Sequence, residues 1–482
     1  MTTPTAPARL GNAGLYVLLA GQLLPLIDFS IVNVALATIA ESFAASASEL
    51  ALLVAAYGVA FAVCLALGGR LGDRLGRRHV FRLGIALFGV SSLMCGLADS
   101  LTMLLGARTL QGVAAALIVP QVLATIHAGL TGAAHSRAIG FFGAIGGLAF
   151  VIGQVLGGYL VSADIAGSGW RSVFLINPPL CLLVLAGTTR FLPESPRTQA
   201  IHIDVPGTLL LTATVLCLLL PLALGPAAHW SWPYIALLTA VPPLLAALWI
   251  AERRQEQRGL MPLLPPALLR LPSIRFGIWL GLVFFSCWSG FMFVLALALQ
   301  AGAGLEPRQS GDVFIALGAA YFVASLRSAW LVGRIGVLPT LLVGCLIQMS
   351  GLLALMTTLH GVWPHPGVLN LMPSTIIIGI GQAFIVSSFL RIGLADVAIE
   401  HAGAGSSLLS TVQQTAFGLG SALLGALFAH QLQLAGSHLD ALLAGLTGEL
   451  CLMLLLSAGT LLYYRRHQRL RRLTRHRRVC TE

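Results

Sequence analysis

The stretch GGRLGDRLGRRHVF, Gly68–Phe81, sets five formal charges into fourteen residues of a chain that is 57% hydrophobic and only 9% charged. Apolar runs of about twenty residues flank it, each long enough to cross roughly 30 Å of hydrocarbon. Charge at this point therefore reads as a short polar joint between two membrane spans. A mean hydropathy of +0.89 over 482 residues excludes a soluble globular core, which cannot hide that much apolar side chain.

Working outward, apolar runs recur along the whole chain and give fourteen spans: 15–40, 48–69, 80–99, 102–127, 137–162, 171–190, 206–225, 232–251, 274–301, 312–333, 338–358, 368–390, 404–429 and 442–463. The first run holds Asp28 and Asn33 and lacks a small-residue cleavage site, so it reads as a retained span and not a signal peptide. The sequence has no lysine, and its net charge of +11 comes from arginine. An even span number puts both termini on one side. With that side cytoplasmic, every arginine except Arg108, Arg171 and Arg308 falls in a cytoplasmic loop, tail or span end. Trp170, Trp230, Trp232 and Trp363 then mark the outer rim as an aromatic belt. The basic balance is thus topological and calls for no nucleic-acid partner. The tail RRHQRLRRLTRHRR (465–478) reads as an anchor for the last span, with an anionic-lipid patch as the alternative. The eight cysteines are scattered singly with no CxxC, which argues against a disulfide framework or zinc site. HExxH, GxSxG and paired His/Cys sets are also missing, and the loops are too short for a receptor domain.

An internal echo organises the spans. RLG at Arg74–Gly76, followed by Gly84, returns as RIG at Arg334–Gly336, followed by Gly344. It divides the chain into an N-terminal cytoplasmic tail (1–14), a six-helix bundle (15–190), linkers with two inserted helices (191–273), a second six-helix bundle (274–463) and a basic cytoplasmic tail (464–482). Parallel six-span repeats describe one large transporter architecture. GRLGDRLGRR (69–78) closely resembles the signature loop of the major facilitator superfamily. PLIDFSIVNVAL, RTLQGVAAALIVP, GQVLGGYL, WRSVFLINPP, IDVPGTLL and VAIEHAGAGSSLLSTVQQTAFGLG resemble, in order and each at its expected span, the fourteen-span drug:proton antiporter branch. The resemblance implies an all-α polytopic membrane protein of two six-helix bundles plus two central helices. It implies a secondary transporter of the plasma (inner) membrane, not an enzyme, that exports small lipophilic or cationic compounds by proton antiport and so confers antibiotic resistance. It implies no cofactor or metal, with the proton gradient as energy source. No segment proves or excludes a periplasmic adaptor. Proton-coupled export or import of an endogenous metabolite shares every one of these features.

The individual residues carry arguments of their own. Gly69, Gly72 and Gly76, at i, i+3 and i+7, let helices approach closely. Asp73 needs a partner among the loop arginines or at the free N–H groups that open span thirteen, around Gly403–Ser407. In the family this contact closes the cytoplasmic side, so Gly69, Gly72, Asp73, Arg74, Gly76, Arg77 and Arg78 are the expected latch. A plain topology anchor would need only the arginines. The echo loop has Gly333 in the place of Asp73, so symmetric latching is not expected.

Asp28, near the centre of span one, is functional by default. Desolvation favours its neutral form and a nearby cation its carboxylate. The resemblance assigns Asp28 and Arg108 to proton coupling, and a static ion pair is the alternative. Arg108, with Gln111 at i+3, lies within about 3–9 Å of Asp28 in depth and, as a non-titrating cation, is expected to tune it. Gly146, Gly153 and Gly157, with Gly158 beside them, predict tight packing along span five. Gln154 stands where the family motif has proline. The stripe Phe284, Trp288 and Phe291 on span nine suits flat lipophilic or cationic ligands, with packing or lipid contact as the alternative that such a stripe more often serves. Ser407, Thr411, Gln414 and Ser421 share a face of span thirteen. The cavity candidates are therefore Asn33, Gln111, Gln154, Phe284, Trp288, Thr411 and Gln414. Arg327 is expected to snorkel, and Asp204 and Asp312 to mark helix starts.

Overall fold

The computed structural model describes residues 10–130, 132–193, 204–225, 230–259, 262–397 and 402–479. Among them there is no strand. The helices are α1 (Asn12–Phe43), α2 (Ala47–Leu75), α3 (Arg77–Gly96), α4 (Leu101–Gly129), α5 (Gly132–Ala163), α6 (Ser172–Leu175) and α7 (Asn177–Phe191). After them come α8 (Val205–Leu224), α9 (Trp232–Gln257), α10 (Pro266–Leu269), α11 (Pro272–Leu297) with a π turn at Ala298–Gly302, and α12 (Pro307–Ile335). The last four are α13 (Val337–Val362), α14 (Val368–Gly393), α15 (Ala402–Ala435) and α16 (His438–Val479). Among the described residues thirteen spans pass as single apolar stretches, with α6 and α7 inside one of them. The fourteenth is α2, whose pieces Leu52–Leu65 and Leu67–Leu75 meet at 48°. The chain is thus a multi-pass membrane protein.

Local chemistry sets the helix ends. Ser46 and Glu49 close a reciprocal capping box on α2, and these hydrogen bonds to Ser46 hold the Glu49 carboxyl below its ordinary range. The echoed glycines occupy matching backbone turns. Gly76 (φ +96°) separates α2 from α3 and Gly336 (φ +94°) separates α12 from α13, a region open only to glycine without strain. Gly84 and Gly344 then bring α3 and α13 against α4 and α14, where an added Cβ would lie 2.8 Å from Ile118 and 3.0 Å from the Gly381 carbonyl. The repeat in sequence is a repeat in structure.

The first bundle is built from α1–α7 and the second from α11–α16. They meet along α5 with α12, α2 with α15 and α1 with α11. Away from the 69–78 loop, at the end called here the far end, α5 and α12 close tightly: a Cβ on Gly158 would sit 2.5 Å from the Pro307 carbonyl, and one on Gly311 2.8 Å from the Gln154 carbonyl. The inserted α8 covers the α2–α15 seam, with Leu211, Val215 and Leu219 packed on Val59 and Val63. Asp204 does start α8, accepting from the Gly207 N–H at 2.7 Å. It also accepts from Gln255 of α9 and from the Leu263 N–H, so it ties both inserted helices to the segment that follows them.

Two expectations are corrected. Trp170 is buried, packed on Phe43 and Phe174, with its Nε1 donating to Ser42 Oγ at 3.0 Å, so it is not part of a lipid-facing belt. Trp230 and Trp232 are exposed and fit that role. Asp312 lies in the second turn of α12, because Glu306 and Gln309 cap that helix earlier. The basic stretch from Arg465 to Arg478 is helical, as α16 continues unbroken to Val479. Arg327 is exposed, as snorkelling requires.

Candidate functional site

Asp28, Arg108 and Gln111 come together in the heart of the first bundle, all fully buried. Pro25 lies one turn before Asp28 on α1, and its carbonyl accepts from Tyr57 Oη at 2.7 Å. One carboxylate oxygen of Asp28 accepts from Arg108 Nη1. The other accepts from Gln111 Nε2 and from Asn177 Nδ2, each at 2.9 Å. Ser92 Oγ of α3 accepts from the same two amides and donates to the Phe174 carbonyl at 3.0 Å. Arg108 also donates to Gln111 Oε1 at 2.9 Å and stacks its guanidinium 4.3 Å above the Tyr57 ring. Its Nε and Nη2 have no hydrogen-bond partner. The network therefore satisfies the carboxylate fully and the cation only in part. If Asp28 accepts a proton, Arg108 loses its one anionic partner.

The sequence pointed to Asp28, Arg108 and Gln111 but did not single out Asn177, Ser92 or Tyr57. Asn177 sits within INPP at the start of α7, and a buried amide beside two prolines in a span was the available signal. Ser92 and Tyr57 carry none.

The rings on the other side of Tyr57 form a bridge between the bundles. Phe29 touches Tyr57, Phe150 and Phe417 at centroid distances of 5.8, 5.6 and 5.5 Å. Phe150 reaches Trp288 at 5.4 Å, and Trp288 reaches Phe284 and Tyr321 at 5.6 Å each. The stripe on α11 is therefore buried between the halves and does not face lipid. One turn along from Phe29 and Phe150 stand Asn33 and Gln154, both buried, each with its side-chain oxygen lacking a partner. Gln154 Nε2 contacts Met292 Sδ at 3.7 Å, and Trp288 Nε1 has no acceptor. Thr411 and Gln414 are buried on α15 near Phe417. The bridge is thus an aromatic surface bordered by buried polar atoms that lack partners.

The charged loop braces its own bundle and the segment that follows the inserted helices. Arg77 bonds Asp73 Oδ1 at 3.1 Å and the Ala124 carbonyl of α4 at 2.8 Å. Arg78 donates to the Thr189 carbonyl of α7 at 2.8 Å, and Arg70 to the Pro262 carbonyl beyond α9 at 2.7 Å. Arg77 and Arg78 thus sit near the carbonyl-rich ends of α4 and α7, where the helix dipole favours them. Asp73 is thus paired with Arg77 across the Gly76 turn, one of the loop arginines expected as its partner. Arg74 is exposed, and the side chains of 403 and 407 lie outside the described residues. Close approach falls on Gly68 and Gly72, where a Cβ would lie 2.1 Å from the Ala116 carbonyl and 1.8 Å from Gln121 Oε1. Gly69 would meet only Pro120, at an ordinary 3.7 Å, so it is not required for the contact. On α5, Gly153 and Gly157 pack against Ser30 and Ile31, and Gly158 against Pro307. Gly146 meets nothing within 4 Å, so the expected packing role fails there: the α1–α5 contact is tightest two turns further along. In the second bundle Arg334 lies 5.3 Å above Trp330 and no acid stands at Gly333, consistent with unequal loops.

The Major Facilitator Superfamily pattern matches residues 18–421. The chain is 35% identical over 423 residues to the probable actinorhodin transporter of Streptomyces coelicolor, covering 86% of this chain and 72% of that protein. It is 34% identical over 417 residues to the puromycin resistance protein pur8 of Streptomyces alboniger, covering 85% and 80%. Its fold is similar to that of the human organic anion transporter MFSD10 (TETRAN), with TM-score 0.64 at 18% identity over 93% of this chain and 99% of that one.

Proposed function

The chain belongs to the Major Facilitator Superfamily, and from that premise we propose that it exports small lipophilic or cationic compounds by proton antiport, with Asp28 as the coupling carboxyl. It is a transporter and not an enzyme. Relatives named for antibiotic transport and resistance support export of a toxic or antibiotic compound. The observation that carries the reading is the Asp28 network: a buried carboxyl with a single anion–cation pairing, one ring away from the aromatic bridge.

A proton on Asp28 frees Arg108, whose guanidinium lies on Tyr57. Tyr57 in turn packs on Phe29 of the bridge. Ligand between the rings and proton on Asp28 therefore compete through one contiguous set of side chains, which is the requirement for exchange. Alternation would open the α5–α12 seam at the far end while the opposite end closes. The arginine-rich end faces the cytoplasm in this reading, and both termini lie there in the inner membrane. The 69–78 loop keeps α2 and α3 fixed to α4 and α7 as the first bundle rocks. No cofactor is needed, because the proton gradient supplies the energy.

The test uses inside-out vesicles from cells producing the full chain, with ethidium as the probe. An imposed proton gradient should drive ethidium uptake with matching proton release in wild type, and neither in Asp28→Asn. Coupled proton release that persists in Asp28→Asn overturns the assignment of Asp28. Ethidium uptake that ignores the gradient overturns antiport.

A further inference from the structure

The second bundle holds a buried acid that the reading above leaves unused. Glu449, on α16, is fully buried within a membrane span. Its Oε1 accepts from Gln348 Nε2 of α13 at 2.9 Å, whereas its Oε2 has no partner. Gln348 Oε1 is also unpartnered, and Gln382 on α14 is buried with both amide atoms unpartnered. Asp28, by contrast, has one cation and two amide donors.

The helices involved correspond. In the first bundle the polar centre draws on the first, third, fourth and sixth spans: α1, α3, α4 and α7. In the second, Cys287, Gln348, Gln382 and Glu449 lie on α11, α13, α14 and α16, the same four places in the repeat. The elements packed on α16 are α11, α13, α15 and the π turn. Toward the buried centre, α11 presents Cys287 and α13 presents Cys345, both free thiols. The remaining ionisable groups stand towards the helix ends: Arg275 on α11, His360 on α13 and His430 on α15, with none on the π turn. On α16 itself Asp440, Tyr463 and Tyr464 stand several turns away, and Cys451 is exposed. Among the described residues no cation lies within ion-pair reach of Glu449. Its pocket holds carboxyl and amide oxygens in need of a donor, and a proton on Oε2 is the smallest group that supplies one while cancelling the charge.

We propose that Glu449 is a second proton-carrying carboxyl, in the second bundle, which binds and releases a proton (–COO⁻ + H⁺ ⇌ –COOH) during the transport cycle. Its place in the cycle rests on the proton-antiport reading; its proton exchange does not. The alternative is a carboxylic acid that holds its proton permanently as a structural group.

Infrared difference titration of the purified full chain in lipid nanodiscs decides between these, read at the carbonyl stretch of protonated carboxylic acids. Wild type should show two titrating buried components, one lost in Asp28→Asn and the other in Glu449→Gln. Glu449→Asp should retain a titrating component at a shifted position. Glutamine keeps the acceptor for Gln348 Nε2 and adds a donor, so Glu449→Gln should melt no lower than wild type, which separates loss of the proton from loss of the fold. Proton-driven ethidium uptake into inside-out vesicles should lose its wild-type pH profile in Glu449→Gln. An unchanged titration in Glu449→Gln overturns the proposal, even where Asp28→Asn abolishes transport. If Asp28→Asn transports normally while the Glu449 component titrates, the antiport assignment of Asp28 falls and the second proton site stands.

Discussion

Replacing Arg108 by methionine leaves Asp28 in a fully buried site with its two amide donors, Gln111 and Asn177, and no cation. An uncompensated buried charge costs about 3–5 kcal/mol, and the two surviving 2.9 Å bonds place this variant near the lower figure. Asp28→Asn strands Arg108 instead, with Gln111 Oε1, the Tyr57 ring and two already unpartnered nitrogens around it. That variant belongs near the upper figure, about 5 kcal/mol. The double variant Arg108→Met/Asp28→Asn removes both charges and should lie within about 1 kcal/mol of wild type, since neutral replacement of a buried pair is often harmless. The cycle then yields a coupling of several kcal/mol, beyond what non-contacting sites show. The assay is detergent-driven unfolding followed by thiol labelling, because Cys95, Cys181, Cys287 and Cys345 are buried and become reactive only on opening. A double variant as unstable as the worse single one would refute the argument, because the loss would then come from packing and not from an orphaned charge.

Two further predictions concern glycines. Gly153→Ala places a Cβ 1.9 Å from Ser30 Oγ and 2.6 Å from the Ile27 carbonyl, and should cost about 1–3 kcal/mol by overpacking. Gly146→Ala, on the same helix face but with open space, should be neutral or slightly stabilising. Equal unfolding midpoints for the two would contradict the placement of the α1–α5 contact. Gly76→Ala and Gly336→Ala force a side chain into φ +96° and +94°, and each should lose about 1–3 kcal/mol. If Gly336→Ala alone is tolerated, the two turns are not equivalent.

The spans and the repeat were legible because their causes are local. A backbone in hydrocarbon must satisfy its own hydrogen bonds, so each span is a helix of fixed minimum length written in about twenty consecutive residues. The Gly76 and Gly336 turns are likewise set by single residues that the chain shows openly. The charged loop announced a joint for the same reason, and placed Asp73's partner among the loop arginines; that it is Arg77 follows from how the chain turns at Gly76.

Which helix faces which was not local. Asp28 meets Asn177 across 149 residues of sequence and Gln111 across 83. Side chains facing lipid are as apolar as those facing a neighbouring helix, so hydropathy does not say which face is covered. For that reason Trp170 resembled a belt residue and is buried, the α11 aromatics left ligand, packing and lipid contact open and form the bridge between bundles, and Gly146 resembled a packing glycine and faces open space. The sequence alone determined a fourteen-span, twice-repeated membrane transporter fold with an acid in its first span. Tertiary packing alone decided what surrounds that acid, because lateral association in a membrane is governed by shape and by the pairing of a few polar atoms, and these are specified only once the helices touch.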